Sequence, residues 1–399
     1  MKIAIIGSRG IPAKYGGFET IAEELAERLT KLGHRVTVTC ERRPDDSVAN
    51  ESYKGVELCF SPFRSPGTYG VRKFYEVFND LYFVLKLARG VDILYLLGYS
   101  AGILQFVPRL LSEGTAFIVN IDGVEWKRRK FNLFEKALVR LSLWGATTFS
   151  DIVAVDARSM VSYVGSPAKD KVVYAPNGVS KPGIVPWDYG KIAAHPNLNR
   201  SVTKLMPGEY WLAVARLEPE NNIDLVIEGF SKSCTRKPLI VVGDFTSPRY
   251  RKRILNTLRK SGGKPVVFAG SIYNLTVLNM LRQNAFGYIH GHSVGGTNPS
   301  LLEAMSMANL VVAHDNEFNR EVCSDCALYF RNADELASRI NAAESDPGAF
   351  SDLRFKAERR ALDEYSWDHV LSQYDPLFAL AIERSRIASR ALRRTRKST

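Results

Sequence analysis

The chain has 399 residues, too many for one ordinary hydrophobic core, so two domains of roughly 150–200 residues are expected. Hydrophobic residues make up 45% and aromatic ones 11%, which excludes a disordered or low-complexity chain. A net charge of +12 points to anionic partners: a phosphorylated ligand, an acidic membrane surface or nucleic acid.

The opening "KIAIIG" is a compact β-rich run followed by the loop "SRGIPAKYGG"; its apolar part is too short for a signal peptide. "FETIAEELAERLTKLG" then sets Ile21, Leu25, Leu29 and Leu32 at helical spacing, with Gly33 as the stop. "RVTVTC", "VDILYLLG", "AFIVNIDG" and "DIVAVDA" are further apolar strands with helical stretches between them, the pattern of a parallel α/β sheet. Over residues 176–208 the texture turns to proline, glycine and asparagine and reads as a linker, with a domain boundary near 185. A second alternation follows in "EYWLAVARL", "PLIVVGD", "PVVFAG", "AFGYIHG" and "NLVVAHD". After Trp367 a helical tail ends in "ERSRIASRALRRTRKST", where seven basic residues from Arg384 to Lys397 face one acid, Glu383.

The expected organisation is therefore two doubly wound domains, residues 1–185 and 186–370, followed by a basic helix over 371–399. Two such domains facing each other across a cleft bind ligands at the carboxyl ends of their strands. No uncharged stretch reaches the ~20 residues of a membrane span, so a soluble or peripheral protein is expected. The five cysteines are odd in number and scattered, which fits a reducing cytosol. Cys323 and Cys326 form a lone C-x-x-C without a second ligand pair, which weighs against zinc.

Three stretches carry chemistry. In "GSRGIPAKYGGFET", Gly16 and Gly17 precede a helix whose N-terminus offers unpaired N–H groups to a phosphate, with Arg9 and Lys14 nearby. The spacing is G-x-x-G and then G-G, which is not the dinucleotide fingerprint. In "WLAVARLEPENNIDLVIEGF", Arg216 follows a strand, where a guanidinium can grip a diphosphate in bidentate fashion. In "HGHSVGGTNPSLLEA", a strand passes through a glycine-rich loop with the hydroxyls of Ser293, Thr297 and Ser300 into a helix start suited to an anion. His290 and His292 lack a defined third metal ligand there, since Glu303 and Asp315 belong to separate elements. Taken alone, each stretch also fits a bland turn, a capping arginine or a buried histidine.

Together these stretches resemble the GT-B glycosyltransferases of family 4, most closely the rhamnosyltransferase-like branch that uses a nucleotide donor such as dTDP-rhamnose. "GSRGIPAKYGGFE", "NIDGVEWKRRKF", "ARLEPENNID" and "HGHSVGGTNPSLLEA" carry the similarity, which extends to about residue 375. It implies an α/β GT-B fold of two Rossmann-like domains, an acceptor-side one and a nucleotide-sugar-binding one, with the C-terminal helix crossing back to the first. By resemblance, Gly16 and Gly17 face the donor diphosphate and Arg216 neutralises the leaving phosphates. The amides near Gly296, Thr297 and Asn298 cradle those phosphates, Glu303 holds the ribose hydroxyls, and Asn222, His292 and Ser293 complete the donor site. Asp122, Arg216 and His290 form the implied catalytic set. Asp122 stands where many relatives have a histidine, and could bind the donor sugar, act as base or steady an oxocarbenium charge.

Two departures from the wider family matter. Its lysine five residues after the arginine is Asn221 here, and the first glutamate of its Glu-x7-Glu motif is Gly295. The expected activity is transfer of a sugar, L-rhamnose from dTDP-rhamnose, to a hydroxyl of a glycan or lipid-linked acceptor in cell-surface polysaccharide synthesis. The absence of a D-x-D motif fits a metal-independent reaction, and the family implies retention of configuration. No cofactor is expected beyond the nucleoside diphosphate sugar as co-substrate. The stretch "EWKRRKFNLFEKALVRLSLWG" joins Glu125, Trp126, Lys127, Arg128 and Arg129 to a helix bearing Phe134, Leu138, Leu141 and Trp144, which suits the acceptor side and an anionic membrane. The expected location is cytoplasmic, at the inner face of the cell membrane. The rivals are a sugar-nucleotide epimerase of the same fold, a transferase using a UDP- or GDP-hexose, a dehydrogenase with Glu41 on a ribose, and a nucleic-acid binder. The basic residues gather at Lys127–Lys130 and in the tail instead of lining one groove with stacking aromatics, which argues against nucleic acid.

Overall fold

The computed structural model describes all residues except 14, 15, 43–50, 67, 68, 107–113, 128–131, 196, 197, 199–204 and 399, and the backbone alone of 69, 70, 73, 103 and 391–398. The chain divides into two compact units after Pro176, and residues from Val370 onward belong again to the first.

The first unit is built on β1 (Lys2–Ile6), β2 (Arg35–Arg42), β3 (Ser52–Tyr53), β4 (Val56–Arg64), β5 (Ile93–Leu97), β6 (Ala116–Ile121), β7 (Ile152–Val155) and β8 (Val172–Tyr174). They form one sheet in the order β3-β4-β2-β1-β5-β6-β7-β8, parallel except where β3 pairs with β4. Every residue of β5 and β6 is buried, because a parallel sheet is covered by helices on both faces. The long helices of this unit are α1 (Gly17–Lys31), α2 (Tyr69–Leu87) and α3 (Leu133–Phe149). The stripe of α1 that faces the sheet is Ile21, Ala22, Leu25, Ala26 and Leu29. Leu32, expected on that stripe, is instead 57% exposed, because the helix stops at Lys31 and the chain turns away before Gly33.

The second unit carries β9 (Trp211–Val214), β10 (Leu239–Val242), β11 (Val266–Gly270), β12 (Gly287–His290), β13 (Val311–His314) and β14 (Leu328–Phe330). Their order is β11-β10-β9-β12-β13-β14, with every pair parallel. The helices of this unit, in chain order, are α4 (Tyr189–Ala193), α5 (Ile223–Lys232), α6 (Pro248–Lys260), α7 (Leu275–Gln283), α8 (Pro299–Ser306), α9 (Glu317–Cys323), α10 (Ala333–Ser345) and α11 (Ser351–Tyr365). Two apolar layers line the sheet, one with Leu212, Ile240 and Tyr288, the other with Trp211, Val241 and Ile289. Alternate residues of each strand thus feed opposite faces.

The stretch read as a linker is part of this second core. Val179, Ile192, Leu198 and Leu205 are buried in it, and Val185 and Trp187 pack against it. Proline and glycine there set turns, while the apolar residues between them dock the segment.

The last helix, α12 (Trp367–Ser398), starts in the second unit and supplies the first from Val370 on. Within the first unit the Tyr374 hydroxyl lies 3.2 Å from that of Tyr95, and Ser385 Oγ donates to the Thr115 carbonyl at 2.9 Å. Both polar pairs are buried, so they fix the helix rather than merely decorate it.

Candidate functional site

The order of strands in the second unit reverses between β9 and β12, and ligands of doubly wound sheets bind at the carboxyl ends of the strands beside such a reversal. Two loops emerge there, one carrying Arg216 after β9 and one running from Gly291 to Asn298 after β12. Gly243, at the end of neighbouring β10, lets the first loop approach: a Cβ there would stand 1.9 Å from the Ala215 carbonyl oxygen.

The two loops are laced together. Ser293 donates to the Glu220 carbonyl from both its amide and its hydroxyl, each at 2.9 Å. Asn222 Nδ2 donates to the Gly291 carbonyl at 2.9 Å, and Asn222 itself is buried with φ of 49°. Asn222 and Ser293, expected to touch a donor, are therefore committed to holding the loops in register. Asn221, in the place of the family lysine, donates from Nδ2 to the Arg216 carbonyl at 2.7 Å. It shapes the loop without adding charge. Arg216 is half exposed, with Glu218 Oε1 3.8 Å from its Nη1, a distance that leaves the guanidinium adaptable.

The start of α8 differs from expectation. Asn298 Oδ1 accepts from the Ser300 amide at 3.0 Å, Pro299 has no N–H, and the Leu301 and Leu302 amides bond the Asn298 carbonyl at 3.1 Å. The first turn is capped from within, so its amides cannot cradle an anion. Among the described residues, however, the amides of Val294, Gly295 and Gly296 make no hydrogen bond. They border a shallow hollow, which His292, Asn298, Asn316, Phe318 and Asn319 also line. Backbone N–H groups in a glycine loop can form an anion nest. Gly295 has φ of +141°, which a residue with a side chain rarely adopts, although a Cβ would meet nothing within 4 Å. The backbone, rather than lack of room, keeps the motif glutamate away from this position.

Asn316 and Asn319 each donate from Nδ2 to the His292 carbonyl at 2.9 Å and so hold the loop from behind. Thr297 is buried, and its carbonyl accepts from Asn177 Nδ2 at 2.6 Å. His292 stacks on His290 with ring centroids 4.2 Å apart and planes 8° from parallel. His290 is fully buried with neither ring nitrogen hydrogen-bonded. Burial, with the imidazoles of His292 and His314 nearby, pushes its pKa well below the usual value and keeps it neutral. His290 was expected in the catalytic set; its place is behind His292, which borders the hollow.

Glu303 lies on α8 with its side chain 28% exposed, and its Oε2 is paired with Nη2 of buried Arg282 on α7. Sequence reading missed Arg282, Asn316, Asn319 and Asn177. In each the signal is a polar residue whose partner is distant in sequence, which local patterns do not contain.

In the first unit, the glycine loop after β1 leads into α1 with Gly16 at its N-cap. Buried Glu19 accepts the Arg9 amide on Oε1 at 3.1 Å, and a Cβ at Gly16 would lie 3.2 Å from its Oε2. An acidic side chain at the helix start repels a phosphate, so the diphosphate role read for Gly16 and Gly17 loses its expected electrostatic basis. Lys14 lies outside the described residues. Asp122 follows β6 and is part-buried. The Tyr99 hydroxyl pins the turn after it, donating to the Gly123 carbonyl at 3.3 Å and accepting the Glu125 amide at 3.2 Å. Trp126 packs edge-on against Tyr163, and Lys127 bonds the Tyr163 hydroxyl. Arg128 and Arg129 lie outside the described residues. α3 begins with a reciprocal capping box between Asn132 and Glu135 and exposes Leu133, Phe134, Leu138, Leu141 and Trp144. No helix among the described residues is long and apolar enough to cross a membrane.

Residues 197–365 match the family model described as "Glycosyl transferases group 1", and residues 1–175 match a "Domain of unknown function". A comparison with curated proteins found no match. Among solved structures, the chain is similar to sucrose-phosphate synthase from Thermosynechococcus elongatus, with a TM-score of 0.75 and 16% identity over 95% of this chain and 98% of that one. It is also similar to Anabaena HepE in complex with UDP-glucose, with a TM-score of 0.69 and 15% identity over 94% and 98%. A TarM variant from S. aureus in complex with fondaparinux, α-GlcNAc-glycerol and UDP gives a TM-score of 0.68 and 11% identity over 94% and 99%. The chain thus has the GT-B fold of two parallel-sheet Rossmann-like units, and its second unit carries a glycosyl transferases group 1 domain.

Proposed function

We propose that the chain transfers a sugar from a nucleoside diphosphate sugar to a hydroxyl of a glycan or lipid-linked acceptor. The observation that carries this reading is the nest of unbonded Gly295 and Gly296 amides in the loop laced to the one bearing Arg216, at the strand-order reversal of the second unit. Breaking the anomeric C–O bond puts negative charge on the departing diphosphate, and amides together with an adaptable guanidinium can stabilise it without a metal. Glu303 takes the pentose hydroxyls, and Asp122 is the carboxylate assigned to the acceptor hydroxyl. The four-motif resemblance to the rhamnosyltransferase-like branch supports L-rhamnose from dTDP-rhamnose as the donor, with retention of configuration. A UDP-hexose is the second reading, since the similar HepE structure holds UDP-glucose.

The acceptor is proposed to sit at an anionic membrane surface on the cytoplasmic side, in polysaccharide synthesis. The exposed apolar residues of α3 beside Lys127 support that placement. The test incubates the purified chain with a panel of nucleotide sugars, reading thermal shift for binding and released nucleoside diphosphate for turnover with a membrane extract as acceptor. Stabilisation by dTDP-rhamnose above UDP- and GDP-hexoses supports the first reading. A response to none of them removes the function.

A further inference from the structure

Arg282 is an unusual residue for its place. It lies in the last turn of α7 and is 3% exposed, yet nothing apolar substitutes for its charge. Its Nη2 pairs with Glu303 Oε2, its Nη1 lies 3.5 Å from Asn279 Oδ1, and its Nε has no partner. Taking a guanidinium out of water with an N–H left unmet costs more than one ion pair returns, so packing alone favours an apolar residue here. The benefit must lie in what the cation does to its partner. Glu303 stands where the buried core meets solvent, with a side chain 28% exposed. A flexible glutamate at such a rim samples several rotamers; one whose Oε2 is anchored from below presents its carboxylate in one orientation.

We infer that Arg282 is a positioning residue that holds the Glu303 carboxylate oriented to accept hydrogen bonds from the pentose hydroxyls of a nucleoside diphosphate. The inference rests on the reading of Glu303 given under the proposed function. Arg282 itself touches no ligand and acts through Glu303 alone. Its removal therefore weakens the hydroxyl contact and leaves the phosphate contacts, which come from another loop segment, intact. A residue that merely supports the fold weakens all contacts alike.

The experiment is isothermal titration of the full chain with thymidine diphosphate and 3′-deoxythymidine diphosphate, and with UDP and 2′,3′-dideoxyuridine diphosphate. The wild type is expected to prefer the hydroxylated member by about tenfold, the size of a hydrogen bond to a charged group. In Arg282→Gln that preference falls toward one while affinity for the deoxy member stays within about twofold. Arg282→Lys restores part of the preference, and Glu303→Gln loses it as Arg282→Gln does. Equal weakening of both members, or an unchanged preference in Arg282→Gln, overturns the inference. A wild-type preference of one in both pairs overturns the Glu303 reading and the inference with it. Should Arg282→Gln fail to fold, Arg282→Lys decides by the same ratio, a wild-type value overturning the inference and a reduced one upholding it.

Discussion

Replacing Gly295 with glutamate restores, on paper, the motif residue of the family that the sequence resembles, and the backbone at this position opposes it. The glycine has φ of +141° and open space around its Cβ position, so the penalty comes from the backbone and from nothing else. Holding a residue with a side chain in that region costs about 1–3 kcal/mol. At about 2–4 °C per kcal/mol for a unit of this size, the middle of that range lowers the melting temperature by about 4–8 °C. Alanine, carrying the same Cβ and no charge, incurs the same loss. Gly183 is the control, since its Cβ position is equally open and its φ lies outside the glycine-only range. The assay is thermal unfolding of wild type, Gly295→Glu, Gly295→Ala and Gly183→Ala under one buffer. Gly183→Ala should stay within about 0.5 kcal/mol of wild type. A Gly295→Ala protein as stable as wild type refutes the strain argument. Relaxation of the loop to escape the strain would also turn the neighbouring amides, so nucleoside diphosphate binding should weaken in both Gly295 variants.

Arg216→Ala should cut turnover by about 10²–10³-fold with an unchanged circular dichroism spectrum, because the half-exposed side chain supports charge rather than packing; full activity in the variant would end its assignment. His290 titrates near 6.5 when unfolded and well below that when folded, so as pH drops the unfolded chain takes the proton first and stability falls. Below about pH 6.5 this loss approaches about 1.4 kcal/mol per pH unit, and His290→Phe should abolish it. Denaturant curves of both proteins from pH 7.5 to 5.5 test this, parallel profiles counting against it. Flotation with vesicles rich in anionic lipid should recover the wild type at low salt and several-fold less of a Phe134→Glu, Leu138→Glu, Trp144→Glu triple variant. Equal recovery would show that the exposed face of α3 does not meet lipid.

Strands such as Ile93–Leu97 and Ala116–Ile121 were legible because a sheet covered on both faces demands unbroken apolar runs, and such runs have few other uses. Periodicity fixed the face of α1 but not its end, which is why Leu32 was placed with Leu29 and stands in solvent. The segment around Trp187 and Ile192 has the composition of a linker yet is part of the core, for a related reason. Its prolines and glycines describe local turns, whereas its burial depends on a surface formed by residues a hundred positions away. At the site, Asn298 before Pro299 signalled a helix start, and the same Asn298 then consumed the amides that the start was expected to offer. Of the amides expected to meet phosphate only that of Gly296 is left unbonded, together with those of Val294 and Gly295, whose dihedral angles no spacing rule specifies. Arg282 was illegible for the plainest cause: in "LRQNA" it has the look of an exposed helical arginine, and only the fold reveals that its surroundings are dry.

The last helix has a consequence for how the protein is made. Tyr374 and Phe378 pack with Tyr95, and Ser385 reaches Thr115, all inside the unit that contains the first strand. During synthesis the second unit can close on its own sheet while these partners are still inside the ribosome. The first unit must wait with Tyr95, Asn120 and the neighbouring strands incompletely covered. Its native state is thus a late event despite its early residues, and residues 1–176 expressed by themselves should be aggregation-prone until α12 is supplied in the same chain or as a separate peptide.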